Sequence, residues 1–297
     1  MKLSVIVVAY DMAREIPRTL QGLARDYQQG AQDLEYEVLL VDNGSPIPLD
    51  PKTWAHVDVP VRLIRIDDAA PSPAPAVNVG LAQAHGEVTC VMIDGAHILT
   101  PGVFRMALSA FAAFGNAVVA TRYFYLGLDE QTVSVAKGYN QQVEDALLER
   151  INWPEDGYRL YEIGTALRST ATLISWLNRI FESNCLFMRR DLANEIGGMD
   201  ERFDLPGGGF VNLDTFKRAV EAPGVTPVQL VGEGCFHQLH GGTTTNVSTQ
   251  KRDESLAKYR QQYEKIRGHG DVITKKTFLF MGHLPNDAAK IHRKARQ

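Results

Sequence analysis

Three short apolar runs in the first hundred residues each lead into an acidic side chain. Residues 5–10 precede Asp11, residues 37–41 precede Asp42, and residues 88–93 precede Asp94. In an open α/β sheet, ligands bind beyond the carboxyl ends of the strands. Acids at this edge can hold a sugar hydroxyl or a divalent cation, and packing alone does not explain three of them. The pattern therefore predicts an α/β fold with a polar site at one sheet edge.

Strand-like and helix-like segments alternate through the first 125 residues. The strand-like segments are short, apolar and β-branched, as buried parallel strands are, and lie at residues 4–10, 36–41, 61–66, 88–93 and 117–123. Helices are predicted at residues 15–23, 76–84 and 102–114. This alternation is typical of a parallel sheet with right-handed crossovers. Between the third strand and the second helix, Pro71, Pro73 and Pro75 predict an extended, non-helical loop.

The remainder of the chain is less regular. Residues 129–176 are polar and partly helical, and the pattern does not place their elements. Further strands are predicted at residues 183–188 and 228–235, and further helices at 191–196, 213–220 and 255–266. Since no linker separates two independent halves, we expect one α/β domain with an added elaboration.

Composition limits the classes of partner. Of the 297 residues, 44% are hydrophobic, enough for a large core, and a net charge of -4 gives no reason to expect nucleic-acid binding. The charge is uneven, because residues 251–297 carry 12 Lys and Arg against 5 Asp and Glu. Such a basic segment is typical of a solvated face, while contact with an anionic membrane surface or a phosphorylated acceptor stays open.

The chain lacks several diagnostic features. Cys90, Cys185 and Cys235 lie in separate apolar runs, which predicts buried free thiols in a reducing cytoplasm. No apolar window of about 20 residues and no signal segment is found, so we expect a cytoplasmic protein that does not span a membrane. A glycine-rich dinucleotide fingerprint after the first strand is missing, and so is a P-loop.

Five segments, in a fixed order, share a pattern with a known family. They are residues 4–11 (SVIVVAYD), 37–45 (EVLLVDNGS), 78–87 (NVGLAQAHGE), 94–96 (DGA) and 189–203 (RRDLANEIGGMDERF). Together they resemble the glycosyltransferases of family 2, which have the GT-A fold, over roughly residues 3–245. The resemblance implies a Rossmann-like, mostly parallel sheet flanked by helices. It also implies a nucleotide-sugar half at about 1–125, an acceptor half at about 126–245, and a basic helical C-terminal extension at 246–297.

The resemblance also implies an activity. A sugar would move with inversion from a nucleotide-diphosphate donor, UDP by family frequency, to a hydroxyl of a glycan, glycolipid or small molecule. The residues expected to contact the nucleotide are Ala9, Tyr10, Asp11, Asp42, Asn78, Asp94 and Gly95. Two alternatives stay open, because Asp11 could cap the following helix and Asp42 could form a turn.

The metal-binding motif of the family is altered in this chain. Ala96 stands where the second acid of the DxD motif is usual, and His97 either replaces it as a ligand or points into the following helix. His240, ahead of Gly-Gly-Thr-Thr, resembles the family's late metal-binding histidine. In an extended segment His237 would face the opposite side, so only His240 is retained. Asp94, His97 and His240 are thus predicted to hold Mn²⁺ or Mg²⁺, and the mixed donor set suits Mn²⁺ better.

The catalytic base of the family is also displaced. Alignment of the following acid and arginine on Asp214 and Arg218 puts Val211 and Asn212 where a Glu-Asp pair is usual. Asn cannot accept a proton as a base, so Asp214 or Glu182 is the candidate base. A structural role for Asp214 inside a helix is the competing interpretation.

Two alternative functions are compared with sugar transfer. The missing acids could mark a catalytically impaired sugar-nucleotide binder. A nucleotidyltransferase also uses a Rossmann-like sheet and Mg²⁺, but that class carries a glycine-rich basic loop after its first strand. Here that strand is followed by Asp-Met-Ala-Arg-Glu at residues 11–15.

Overall fold

One mixed β-sheet with helices on both faces organises the chain, in a computed structural model that describes residues 1–167, 175–241, 247 and 249–289. The strands of the described residues are β1 (Leu3–Ala9), β2 (Tyr36–Asp42), β3 (Val61–Arg65), β4 (Val88–Met92), β5 (His97–Leu99), β6 (Ala117–Leu126), β7 (Gly164–Ala166), β8 (Leu186–Arg189), β9 (Thr226–His237) and β10 (Leu279–Gly282). Across the sheet their order is β10-β9-β6-β8-β4-β1-β2-β3, with β5 paired to β9 and β7 to β6.

The helices of the described residues connect these strands. They are α1 (Ile16–Gln21), α2 (Ala74–Ala82), α3 (Val103–Phe114), α4 (Gln131–Ala136), α5 (Gln141–Arg150), α6 (Leu160–Ile163), α7 (Arg190–Glu195), α8 (Val211–Glu221), α9 (Thr249–Arg267) and α10 (Asn286–Ala289).

Strand pairing sets where the polar edge lies. The strands β3, β2, β1 and β4 are parallel neighbours, and Ala9 at the end of β1 lies opposite Asp42 at the end of β2. The strand β8 runs antiparallel to both β4 and β6, so its first residues reach the same edge. The strand β9 is parallel to β6 and ends there too. Among the described residues, the sheet therefore collects at one edge the carboxyl ends of six strands (β1, β2, β3, β4, β6 and β9) and the start of a seventh, β8.

Alternate residues of β1 show how the sheet divides the core. Val5 and Val7 face a cluster that includes residues of α1 and α3, whereas Ile6 and Val8 face a second cluster with residues of α2, α7, α8 and α9. All four side chains are buried. Because both faces are covered, these strands read as continuous apolar runs rather than as alternating ones.

The predicted parallel sheet with flanking helices is confirmed, and each strand predicted from the sequence is found within a few residues of its expected bounds. The sequence did not indicate β5, β7 or β10, which are three or four residues long. A segment of that length is too short to display a periodic pattern.

The expectation of a non-helical loop through Pro75 is wrong. Helix α2 begins at Ala74 and includes Pro75 in its first turn. Proline is tolerated there because the missing N–H has no partner within the helix. The prolines at 71 and 73 still lie outside the helix, as predicted.

The segment after residue 245 packs on the domain over its described part. Tyr259 and Tyr263 of α9 are buried in the second core cluster, and β10 adds to the sheet beside β9. Residues 246, 248 and 290–297 of the predicted extension lie outside the described residues, as do residues 242–245 of the predicted catalytic domain. Among the described helices, none combines the length and the apolar character that crossing a membrane requires.

Candidate active site

The acid after β4 and the end of β9 meet through a short connecting strand. Beyond Asp94, the chain enters β5, which pairs antiparallel with the last residues of β9 and places His97 opposite His237. Gln238 continues this contact, since its N–H donates to the carbonyl of Ala96 at 2.8 Å. Two segments about 140 residues apart are therefore fixed side by side by backbone hydrogen bonds.

Asp94, His237 and His240 converge on one point. Oδ2 of Asp94 lies 3.1 Å from Nε2 of His240 and 3.3 Å from Nε2 of His237, and the two Nε2 atoms are 2.9 Å apart. The three residues form a group whose ligand atoms all lie within 4.8 Å of one another. We call this group the Asp–His–His triad. Its members can offer one carboxylate oxygen and two imidazole nitrogens to a single cation.

The dimensions of the triad fit a divalent cation. Adjacent ligands of an octahedral ion lie about 3 Å apart when each bond is about 2.1 Å long. The three separations of 2.9, 3.1 and 3.3 Å match one face of such an octahedron. Two nitrogens and one oxygen favour a transition metal such as Mn²⁺ over Mg²⁺, which prefers oxygen ligands.

The charges within the triad support this role. Burial by itself would raise the pKa of Asp94, but the imidazoles of His240 and His237 hold it well below its usual value. Burial lowers the pKa of His237, whereas the negative charge of Asp94 outweighs burial at His240 and raises the pKa there. An ionised carboxylate thus faces the point where a cation would sit.

The prediction that His237 and His240 face opposite sides is wrong. It assumed an extended chain, but β9 ends at His237 and the next residues leave the strand. Both imidazoles therefore turn towards Asp94. His237, which the sequence analysis set aside, is therefore a member of the triad.

His97 does not join the triad. It is fully buried, its Nδ1 donates to the carbonyl oxygen of Asp94 at 3.0 Å, and its Nε2 accepts from Nδ2 of Asn184 at 3.3 Å. Burial lowers the pKa of His97 to about 3, so the ring is neutral. With both nitrogens engaged, His97 braces the chain at Asp94 rather than serving as the nitrogen ligand expected from the sequence.

A cavity of about 920 Å³ opens in front of the triad. Asp94, His237 and His240 line it together with Tyr10 of the predicted nucleotide-binding set. Asn43, which follows Asp42, also lines it and was missed by the sequence analysis. The Asp-Asn-Gly-Ser turn at residues 42–45 was the available signal, but only its aspartate was chosen as a candidate.

The other residues predicted to contact the nucleotide are held elsewhere. Oδ1 of Asp42 accepts from the N–H of Ser45 at 2.9 Å, and its Oδ2 pairs with Arg65 at 2.7 Å. Asp42 is buried and lies outside the cavity lining. The turn interpretation of Asp42 is therefore the one that its contacts favour.

Asp11 does not cap a helix. The N-cap of α1 is Glu15, whereas Asp11 is exposed, has a φ of 53° and donates its N–H to Oγ of Ser45 at 3.0 Å. Its carboxylate is not part of the cavity lining. A positive φ at a non-glycine residue is uncommon and marks a sharp turn at the end of β1.

Asn78, Ala9 and Gly95 have structural contacts. The side chain of Asn78 donates to the carbonyl of Met199 at 2.9 Å and accepts from its N–H at 2.9 Å, which fixes the turn after α7. Ala9 is buried at the end of β1. Gly95 accepts a hydrogen bond from Thr19, and a Cβ there would lie 2.7 Å from the Val8 carbonyl. None of the three lines the cavity in the described part of the chain.

The two candidate bases lie in different surroundings. Glu182, just before β8, lines the cavity, and burial raises the pKa of its carboxyl. Asp214 is buried in α8 and outside the cavity lining. Its oxygens accept from Arg218 at 2.7 Å and from Arg267 at 2.6 and 2.7 Å. These contacts favour the structural interpretation of Asp214.

Two asparagines link the candidate base Glu182 to His97, which hydrogen-bonds the backbone of Asp94. Nδ2 of Asn212 donates to Oδ1 of Asn184 at 2.9 Å, and Asn184 in turn donates to His97. Asn212 also hydrogen-bonds Glu182, which favours the ionised carboxylate. Asn212, which the resemblance aligns with the usual acid, thus hydrogen-bonds both Asn184 and Glu182. The sequence carried no signal for Asn184, because its partners come from distant segments.

Comparison with known proteins agrees with this geometry. The mostly parallel sheet flanked by helices matches the GT-A fold of glycosyltransferases. The profile of glycosyl transferase family 2 matches residues 4–195, and the chain belongs to this family.

Solved structures show the same fold at low sequence identity. Residues 1–349 of S. aureus TarS match with 16% identity and a TM-score of 0.52, over 90% of this chain and 73% of that chain. The same TarS fragment in complex with UDP-GlcNAc matches with 16% identity and a TM-score of 0.52, over 91% and 75%. No curated protein matches the chain at a significant level.

Proposed function

We propose that this chain transfers a sugar, with inversion, from a UDP-sugar to a hydroxyl acceptor, assisted by a divalent cation. The observation that carries the proposal is the Asp–His–His triad, whose ligand atoms face a cavity large enough for a nucleotide-sugar. TarS, which shares the fold, has been solved with UDP and with UDP-GlcNAc. These structures support UDP as the donor nucleotide.

The triad would hold the cation through Asp94, His237 and His240. When bound, a divalent cation neutralises charge that develops on the departing diphosphate. The chain itself keeps the carboxylate of Asp94 ionised and fixes both imidazoles towards it. The neighbouring Tyr123 packs against His237 with ring centroids 5.6 Å apart, which further limits the rotation of that imidazole.

Glu182 is the base in this proposal. It would accept the proton of the acceptor hydroxyl as that oxygen attacks C1 of the sugar from the face opposite the diphosphate, so that the C1–O bond to the diphosphate breaks. A pKa raised by burial brings the carboxyl closer to neutral pH, where a general base is most effective. Asp214 is a weaker candidate because both its oxygens already pair with guanidinium groups.

Calorimetric titration tests the donor site. UDP, GDP and TDP are each titrated with Mn²⁺ and with EDTA, against the wild-type chain and Asp94→Asn. We expect micromolar binding of UDP that is lost with EDTA and in the variant. Unchanged binding in EDTA would overturn the metal-assisted mechanism, and no binding of any nucleotide would overturn the donor assignment.

The rival of a catalytically impaired binder rests on Ala96 and Asn212, which replace two usual acids. It predicts UDP-sugar binding without hydrolysis or transfer. Release of UDP from UDP-GlcNAc, lost in Glu182→Gln, would exclude it.

Contact of the basic segment with an anionic membrane surface remains part of the proposal. It requires vesicle co-sedimentation that falls when the exposed basic residues Lys258, Arg260 and Lys265 of α9 are replaced by Gln. Sedimentation that is unchanged in this folded variant would contradict it.

A further inference from the structure

Leu239, between the two triad histidines, is held by its backbone. Its N–H donates to Oε2 of Glu144 at 2.7 Å, and its carbonyl oxygen accepts from Nη1 of Arg14 at 3.5 Å. Glu144 belongs to α5, and Arg14 precedes α1. Thus one peptide unit of the histidine loop is gripped on both sides by residues from two other segments.

Glu144 is itself fixed. It is fully buried, and its Oε1 accepts from Nη1 and Nη2 of Arg14 at 3.2 and 3.3 Å. The hydroxyl of Tyr139 donates to Oε2 at 3.2 Å. A carboxylate with partners on both oxygens cannot swing away from Leu239 without leaving buried groups unpaired.

Gln238 is anchored in the same direction. Its side-chain amide donates to the carbonyl of Glu15 and to Oγ1 of Thr19, both at 3.2 Å, and its N–H binds the carbonyl of Ala96. Both residues between the histidines are therefore tied to the body of the protein. These hydrogen bonds orient the loop so that both flanking imidazoles point towards Asp94.

The pair holds the loop through Leu239, and neither Arg14 nor Glu144 lines the cavity in the described part of the chain, although the charge of Glu144 reaches His240 and helps to raise its pKa. The geometry points to Arg14 and Glu144 as a positioning pair that sets the spacing of the His237 and His240 Nε2 atoms and so the affinity for the divalent cation. This inference rests on the proposed metal-assisted function. Partners that orient metal ligands commonly change metal affinity by about 10- to 100-fold when removed.

Substitution at Glu144 tests the pair through metal affinity. Mn²⁺ is titrated into wild type, Glu144→Ala and Glu144→Gln without nucleotide. We expect the Mn²⁺ Kd of Glu144→Ala to rise by about 10- to 100-fold. Glu144→Gln should lose less Mn²⁺ affinity than Glu144→Ala, because its amide oxygen can still accept from the N–H of Leu239. Some loss should remain, because the negative charge that pairs with Arg14 is gone.

Glu233→Gln is the matched control. Glu233 is another fully buried acid and lies in β9, four residues before His237, but its partners are Thr100, Gly102 and Tyr158. It should destabilise the fold without changing the Mn²⁺ Kd by more than about 3-fold. Equal weakening in both variants would assign the effect to general stability and overturn the inference, as would wild-type affinity in a folded Glu144→Ala.

A kinetic readout separates positioning from mere folding. At saturating Mn²⁺ the kcat of Glu144→Ala should recover towards the wild-type value, while the Mn²⁺ concentration for half-maximal rate rises. A kcat that stays low at all Mn²⁺ concentrations would contradict a role through affinity.

A measurement on metal-free protein tests the inference independently of the proposed metal-assisted function. If wild type fails to bind Mn²⁺, the metal-assisted function fails, and the pair is judged by the imidazole ¹⁵N resonances of His237 and His240. Glu144→Ala should shift both resonances and leave that of buried His97 in place. Unchanged resonances of His237 and His240 would overturn the inference.

Discussion

Asp94 and Asp214 are carboxylates of similar chemistry in opposite surroundings. Asp214 meets two guanidinium groups that occupy both of its oxygens, and it lies away from the cavity. Asp94 meets two imidazoles, which can exchange a proton for a metal ion, and its side chain is 27% exposed to the cavity. The difference teaches that the partners of a charged group, more than its burial, separate a site from a structural ion pair.

Replacement of Asp94 should show the largest effect. In Asp94→Asn the only carboxylate of the triad is lost, so we expect kcat/KM for sugar transfer to fall by about 10³-fold, or about 4 kcal/mol. The N–H of Ala96 donates to Oδ1 of Asp94 at 2.9 Å, and the amide oxygen of Asn can still accept it, so the unfolding free energy should change by less than about 1 kcal/mol. Steady-state kinetics and urea denaturation measure the two quantities. A large loss of stability would show that Asp94, like Asp214, is mainly structural, and the contrast between the two carboxylates would fail.

Replacement of Asp214 should show the opposite pattern. Asp214→Asn leaves Arg218 and Arg267 with weakened partners, and breaking such a buried pair costs about 3 kcal/mol of unfolding free energy. Activity below the transition temperature should stay within about 3-fold of wild type. Asp200→Asn, which removes a more exposed partner of Arg267, should cost about 1 kcal/mol or less. Activity lost in a folded Asp214→Asn would restore it as the base.

Glu182 sharpens the comparison on the cavity side. Glu182→Gln keeps the shape of the side chain and removes the proton acceptor, so kcat should fall by about 10²-fold. The Kd for UDP should not change, since Glu182 is not among the residues predicted to contact the nucleotide, of which Tyr10 and Asp94 line the cavity. Steady-state kinetics measures kcat, and calorimetry measures the Kd for UDP. Full activity of the variant would exclude Glu182 as the base.

Glu233 provides a third kind of buried acid, with hydroxyl and N–H donors as its partners. Burial raises the pKa of Glu233, although its hydrogen bonds from Thr100 and Tyr158 oppose the shift, and His283 lies 3.9 Å away. Between the pKa of this group in the unfolded chain and its higher pKa in the folded state, the folded state holds a proton that the unfolded chain releases. The unfolding free energy therefore falls as pH rises through this range. We expect Glu233→Gln to be most destabilising at about pH 5 and less so at about pH 8. Urea denaturation at both pH values measures this smallest effect, and a difference that grows with pH would contradict it.

The sequence indicated the frame of the site better than its details. Asp94 and His240 could be found because one ends a clear apolar strand and the other lies in a polar glycine loop. The exchange of His97 for His237 could not be foreseen, because the backbone just after β9 is held by Glu144, which lies 95 residues before its partner Leu239. Glu144 lies in the polar segment whose elements the sequence left unassigned. Likewise, the pairing of Asp214 with Arg267 spans 53 residues and becomes visible only once α9 packs.

The distance along the chain between Asp94 and His240 has a consequence during synthesis. These residues are 146 positions apart, so a ribosome adding about 5–20 residues per second exposes the aspartate about 7 to 30 s before the histidine. During that interval β1, β2 and β4 can already pair, while β9 does not yet exist. A nascent chain therefore presents a lone carboxylate with little affinity for a cation, and a cation held by the proposed triad would bind only after β9 has formed.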